Sequence, residues 1–485
     1  MDGSRLFTFR YLRFGLIGIL AAGVGWGSSL RHGYADAGAG GAVHAQAEVV
    51  PPLSANDVSW LFPAPTRAED FAKLIAVRDL TTQNPQDPTK RDLVWPYAVF
   101  QRFLEIAASP AAQVGIQTRI GLPAEAQSID AWFIAGIRID AGAPGLSNNI
   151  RAQFGQLPEI RLIVQPVTRN PNGTPKVHDI AGHLIFDFTL EKPNAPAQAG
   201  CLPRRLPDLD AFNAIVADLA ALRTKLSDGQ LGADKVTTSG VPLGIHPGLA
   251  DTMTESKVRE EIKSFLERHI SGQRLDAMAI AGLPAGAHAP WIFLSMVEVP
   301  AGLDPALPNG GFVPVHGPTL DGQQFAQMLE PEGNVPRVVP DPHTNNLSPI
   351  TCENAAVSTA SLPIAKRTGV SAADLFVAPP PPADKTKEIL DVIADPARSH
   401  FFNTDCVSCH SETRRAMDLL KIKEVPGIDS AALPNGQWDV RNFGWSPASK
   451  GSVQATVTRR TSAETAAVVE FINSELLAKP RVLNH

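Results

Sequence analysis

Apolar and polar positions follow two different periods along this chain. Residues 48–109 read as helices broken by proline-rich loops, at Trp60-Leu61-Phe62-Pro63, at Phe71–Ile75 and at Trp95–Ile106. In the last of these, Val99, Phe103 and Ile106 recur at helical spacing. The pattern then shortens. Trp132–Ile139, Arg161–Gln165 and Leu184–Phe188 are rich in β-branched and aromatic residues and are punctuated by Gly, Pro and Asn, which predicts strands. Leu206–Leu226 returns to the helical period, with Phe212, Ile215, Val216, Leu219 and Leu222 on one face, and Glu255–His269 reads as a second helix. Two more strands are predicted at Ala277–Ala281 and Trp291–Val299. Residues 48–378 are therefore expected to form a mixed α/β (α+β) region, with a split into subdomains of about 48–200 and 201–378 left open. No fixed repeat period supports a duplication.

Pro379–Pro382 interrupt this pattern, because four consecutive prolines favour an extended spacer and cannot continue a helix. The block after them, residues 383–485, has the size of a small domain. Lys385–Ala394 reads as a helix with Ile389, Leu390 and Ile393 apolar, ended by Asp395-Pro396. Thr461-Ser462-Ala463-Glu464 has the form of a capping box for a last helix, whose apolar stripe is Val468, Val469, Ile472 and Leu476. A multidomain chain is expected, with 379–382 as linker.

The N-terminus reads as an address. Arg5, Arg10 and Arg13 precede an uncharged apolar run, Phe14–Leu30, and small residues follow to Ala45-Gln46-Ala47. This is the order of a secretory signal, expected to occupy residues 1–47. An uncleaved anchor is the alternative, and would be the one route to a membrane. Either reading places the rest in the periplasm or otherwise outside the cytosol, in an oxidising compartment.

Composition narrows the function classes. The 485 residues fit two to four domains at roughly 100–200 residues each. With 43 Lys+Arg against 49 Asp+Glu, the net charge is −6, so a nucleic-acid partner has no electrostatic footprint. No Gly-x-Ser-x-Gly elbow or phosphate-binding Gly-Lys-Ser/Thr loop is present. Of four cysteines, Cys201 and Cys352 most simply pair as a disulfide in an oxidising compartment, two separate thiols being the alternative. His178 and His183 have four residues between them rather than three, and are expected to be structural.

The other two cysteines lie in Cys406-Val407-Ser408-Cys409-His410. In an exported chain this spacing reads as covalent c-type haem attachment. Two thiols on one helical turn add to the two vinyl groups, and the adjoining imidazole falls over the iron. A redox Cys-x-x-Cys would need a βαβ context, a zinc half-site a second ligand pair, and a disulfide across two residues a strained bridge. On this motif and its flanking helices, residues 383–485 resemble the c-type cytochrome family. The resemblance implies a small all-α, cytochrome c-like domain in which Cys406 and Cys409 hold one haem c and His410 is the proximal iron ligand. No family is recognised in residues 48–378.

The chain departs from that family's pattern on the distal side. Its members supply a methionine from a loop far beyond the motif, whereas the one methionine after His410 is Met417. Met417 is a candidate second axial ligand. If residues 411–421 are helical, however, it lies about 10 Å along the proximal side. His400, His485, Met296, Met328, His343 and an open position are alternatives. Trp438–Trp445 is expected to wall the haem, with Arg441 pairing a propionate. The expected function is single-electron transfer, as an electron carrier rather than a catalyst, with a redox protein or a small electron donor or acceptor as partner. A haem enzyme or gas-binding protein with an open distal site, which would be an oxidoreductase if catalytic, and a scaffold with a structural haem are the rivals.

Overall fold

The computed structural model describes residues 51–108, 120–141, 158–191, 205–232, 235–250, 255–282, 291–299, 301, 308–314, 326–329, 338–339, 382–396, 406–435, 439, 441–447 and 453–478. Residues 49–485 belong to one unit of the chain. The expected leader, the pair Cys201 and Cys352, and linker prolines 379–381 lie outside the described residues.

The strands are β1 (Ser59–Leu61), β2 (Thr81–Gln83), β3 (Arg91–Leu93), β4 (Trp132–Asp140), β5 (Glu159–Arg169), β6 (Pro175–Val177), β7 (Ile180–Asp187), β8 (Thr189–Glu191), β9 (Arg205–Pro207), β10 (Leu275–Gly282), β11 (Trp291–Val299), β12 (Gly311–Pro314), β13 (Ala326–Leu329), β14 (Val338–Val339), β15 (Phe443–Ser446) and β16 (Gln454–Val457). The helices are α1 (Ala55–Val58), α2 (Tyr97–Ala108), α3 (Leu209–Ser227), α4 (Pro247–Ala250), α5 (Glu255–His269), α6 (Ala383–Ala394), α7 (Cys406–Leu420) and α8 (Arg459–Phe471). The mixed α/β class is as expected.

Ten strands form one sheet in the order β1-β4-β5-β7-β10-β11-β13-β14, with β6 beside β5 and β12 beside β11. Every pairing in it is antiparallel. Trp60-Leu61, expected to be helical, is instead an edge strand, because pairing with Ile137 and Gly136 of β4 overrides local preference. The helix expected from Leu206 starts at Leu209. Arg205–Pro207 pairs with Thr189–Glu191, and the Asp208 carboxylate caps the helix by accepting from the Ala211 N–H at 3.0 Å.

Alternation along the strands gives the sheet two unlike faces. On one lie Ile137 and Ile139 of β4, Ile160, Leu162 and Val164 of β5, Leu184 and Phe186 of β7, and Met278 and Ile280 of β10, all buried. α2 and α5 cover this face. Phe103 of α2 meets Trp95 and Trp132 edge-on at 5.2 and 5.6 Å, and Phe265 of α5 meets Trp60 edge-on at 5.1 Å. Such aromatic pairs add about 0.5–1.5 kcal/mol each beyond area burial.

The opposite face carries Arg138 and Asp140, Glu159, Arg161 and Gln165, and His183 and Asp187. Residues from the C-terminal block cover its β1–β4–β5 side. Gln165 clasps the Trp445 backbone at both ends: its Oε1 accepts from the Trp445 N–H at 2.6 Å and its Nε2 donates to the Trp445 carbonyl at 2.8 Å. The Trp445 indole N–H donates to the Phe62 carbonyl at 3.0 Å. Gly136 lets Phe443 approach so closely that a Cβ there would sit 2.7 Å from its ring. Asn473 bonds both backbone groups of Leu53, at 2.8 and 2.9 Å. The described part of residues 383–485 therefore packs as a second layer on the sheet.

That block is not built of helices alone. β15 and β16 form a two-stranded ribbon between α7 and α8. The ribbon exists because its backbone is held by Gln165. The last helix also begins earlier than the Thr461 box implies. Thr458 is the cap, in extended conformation, and its side chain accepts from the Thr461 N–H at 3.4 Å. Glu464 is thereby free to reach Arg460 and Arg138 rather than a cap backbone.

His246 is buried where β1 meets the chain before α4. Its N–H donates to the Leu61 carbonyl at 2.9 Å, and its Nδ1 accepts from the Gly248 N–H at 3.2 Å. Burial pushes its pKa down to about 4 from 6.5. The unfolded chain thus takes up this proton near pH 6.5 and the folded chain only near pH 4. The contribution to stability is full above 6.5 and is lost as pH falls toward 4, by about 3 kcal/mol. Replacing His246→Asn, which keeps an acceptor for Gly248, is expected to narrow the stability gap to wild type by that amount between pH 7 and pH 4. Urea midpoints at the two pH values measure it, and a constant gap would refute the assignment.

Candidate functional site

α7 begins at Cys406, so Cys406, Cys409 and His410 stand at positions i, i+3 and i+4 of one helix and share a face. Cys409 and His410 are half-buried. The Asn442 side-chain amide reaches the Cys409 Sγ at 3.7 Å, just before the ribbon strand that Gln165 holds. Burial pushes the Cys409 thiol up to about 11, against the opposing pull of Arg460.

The polar face of the sheet presents His183. It stands in register with Ile163 of β5 and Ala279 of β10. Burial first, then the charges of Arg161, His410, Arg138 and Arg441, hold its pKa well below 6.5. The segment before the ribbon joins the two neighbourhoods: Asn442 reaches Cys409, Arg441 pairs with Asp179 just before β7, and Gly444 lies against Ile163, the neighbour of His183. No hydrogen bond from a described residue reaches the His183 ring.

The cover over this face is uneven. Gln165 and Ile163, beneath the ribbon, are at most 1% exposed. His183, Ile185, Arg161, Ala277 and Ala279 are only half-buried, although the other face of the same strands is closed. A recess thus lies over β7 and β10, floored on one side by alanines.

Charge rims the recess. Arg138 binds Glu464 at 2.7 Å, Arg460 binds Glu464 at 2.6 Å, and Arg441 pairs with Asp179. Burial opposes ionisation of Glu464, but the guanidiniums of Arg460, Arg138 and Arg161 outweigh it and hold the carboxyl at about 2. Arg138 Nε and Arg441 Nε are buried without a hydrogen-bond partner. Two buried guanidinium Nε donors are thus left without a hydrogen-bond partner among the described residues.

The sequence-based candidates separate cleanly. Met417 lies seven residues beyond His410 on the same unbroken helix, about 10 Å along its axis and on the same side. A macrocycle held between the two would cut into the turn carrying Thr413 and Arg414. Met417 instead packs against the hydrophobic core, so the helix does not offer it as a second axial ligand. Met296 is fully buried on the other sheet face, in register with Met278. His343, His400, His485, Trp438 and the Met328 side chain lie outside the described residues. Trp445, expected beside a haem, is a tether to the sheet. Arg441, expected to pair a propionate, is paired with Asp179, and its Nε is buried without a hydrogen-bond partner.

His178 is a structural histidine, its Nε2 bonded to Thr168 Oγ1 at 2.8 Å. His183, grouped with it by sequence, stands in a different setting. The signal for that was in the alternation of β7, which puts His183 on the face shared with Asp187 rather than with Leu184 and Phe186.

No protein-family model, curated protein or solved structure matches this chain. Among the described residues, no helix is long and apolar enough to cross a membrane, and no group of three or more His, Cys, Asp or Glu is arranged to hold a metal ion.

Removing the carboxylate that joins α8 to the sheet breaks the ion pairs it makes with two buried guanidiniums. Glu464→Gln is therefore expected to cost about 3–5 kcal/mol at neutral pH, read as a lowered urea midpoint with an unchanged m-value. A loss below about 1 kcal/mol, the range of an exposed pair, would show that the ion network does not join the layers.

Proposed function

We propose that this chain is an exported monohaem c-type cytochrome that moves single electrons, with residues 383–485 acting as its cytochrome c-like haem-binding part. The observation that carries the reading is Cys406, Cys409 and His410 at positions i, i+3 and i+4 of one helix. Haem c, once bound, supplies an iron(III)/iron(II) couple. Cys406 and Cys409 would hold the macrocycle by thioethers and His410 would ligate the iron. Arg441 and Arg138 would receive its acidic substituents.

The residues around the recess favour electron transfer through a fixed structure. The clasp of Gln165 on Trp445 and the ion pair of Glu464 with Arg138 restrain the ribbon and α8 against the sheet, which limits reorganisation when the charge at the centre changes. The partner would be a redox protein or a small electron donor or acceptor. The leader-like residues 1–47 support a periplasmic or otherwise exported location.

The test is maturation of the full chain in a host competent for c-type haem ligation, followed by acid–acetone extraction and pyridine haemochrome analysis. Wild type is expected to retain its pigment through extraction, and Cys406→Ser/Cys409→Ser to yield colourless protein. Colourless wild type, or pigment that partitions into the organic phase, would overturn the reading.

A further inference from the structure

We infer that His183 of β7 is the second axial ligand of the haem iron, so that the centre is a bis-histidine site shared between the sheet and the C-terminal helix. This rests on the proposed attachment at Cys406, Cys409 and His410.

A second ligand must approach the macrocycle from the side away from His410, and so from another element. It must carry an imidazole or thioether, be held on rigid backbone, and leave its ring available to the iron. The described residues leave one side chain that meets all of these conditions. Met278 and Met296 are buried on the far face of the sheet, and Met417 shares the helix of His410. His178 is bonded to Thr168, His246 holds Gly248, and His269 bonds Asp218 at 2.9 Å. His183 sits in the middle of the sheet, with β5 on one side and β10 on the other, beside Ile163, against which Gly444 packs two residues after the Asn442 that reaches the Cys409 Sγ. No described group bonds its ring.

The neighbours of His183 fit a flat apolar macrocycle. Across β10 the facing positions are Ala277 and Ala279, the smallest side chains that keep a strand regular, and both are half-buried. Ile185 on the same strand is also half-buried. Arg441, on the segment leading into the ribbon, brings its unsatisfied Nε to the same neighbourhood. A sheet histidine facing a helix histidine also explains why the C-terminal layer closes tightly over β4 and β5 yet leaves β7 and β10 half-covered.

The test uses the full chain matured with haem, as wild type, His183→Ala, His183→Met and the control Met417→Leu. Each is read for covalently attached haem after denaturation, for ferric spin state and axial-ligand signature by electron paramagnetic resonance and near-infrared magnetic circular dichroism, and for carbon monoxide binding when reduced. Wild type and Met417→Leu are expected to be low-spin, bis-imidazole and unreactive to carbon monoxide. His183→Ala should keep its attached haem, lose the bis-imidazole signature and bind carbon monoxide. Added imidazole should restore the low-spin spectrum. His183→Met, which keeps a ligand and a similar bulk, should give a histidine–methionine signature even if the alanine variant folds poorly. A His183→Met or His183→Ala spectrum identical to wild type, or a wild type that is high-spin or histidine–methionine ligated, would overturn the inference while the attachment stands. Wild type without covalent haem would overturn both.

Discussion

The structure depends on a constraint set by one sheet with two incompatible faces. β5 alternates Ile160, Leu162 and Val164 with Glu159, Arg161 and Gln165, and β4 sets Arg138 and Asp140 beside them. The apolar face is closed by helices near in sequence. The polar face must also be covered, and its charges cannot be buried without partners. Those partners come from hundreds of residues away: Glu464 for Arg138, the Trp445 backbone for Gln165, and Thr465 for Ser59, whose hydroxyls lie 2.8 Å apart.

This constraint determines how the C-terminal block relates to the rest. A haem-binding part set on a free linker would present its own closed surface. Here Gln165 substitutes for a strand neighbour of the Trp445 backbone, and the glycine at 136 removes the side chain that would keep Phe443 away. The same packing brings α7 over the sheet.

The polar character of the recess follows from the same arrangement. Glu464 stays ionised because Arg460, Arg138 and Arg161 converge on it. Glu159 and Glu412, with burial outweighing Arg161 and Arg459 respectively, are instead raised to about 7. Unpaired Nε donors on Arg138 and Arg441 are costly in a closed interior, and sit most naturally where an anionic group completes them.

Much of this was readable along the chain. Strands β4, β5, β7, β10 and β11 of the central sheet and the helices α2, α3, α5 and α6 follow from periodicity, because burial of one face writes itself into residue spacing within a single element. The Cys406-Val407-Ser408-Cys409-His410 spacing is likewise local, since the residues that would act together in the proposed attachment lie on one turn of one helix. What lay outside local reach was everything settled by partners distant in sequence. Trp60 became a strand because β4 was there to pair with it, and Trp445 became a tether because Gln165 waited 280 positions earlier. Met417 was packed against the core from the helix of His410, and His183 was placed on the polar face of its strand. Spacing records what a segment does to itself, while the meeting of two segments is decided by which buried charges and backbone groups must be satisfied when the layers close.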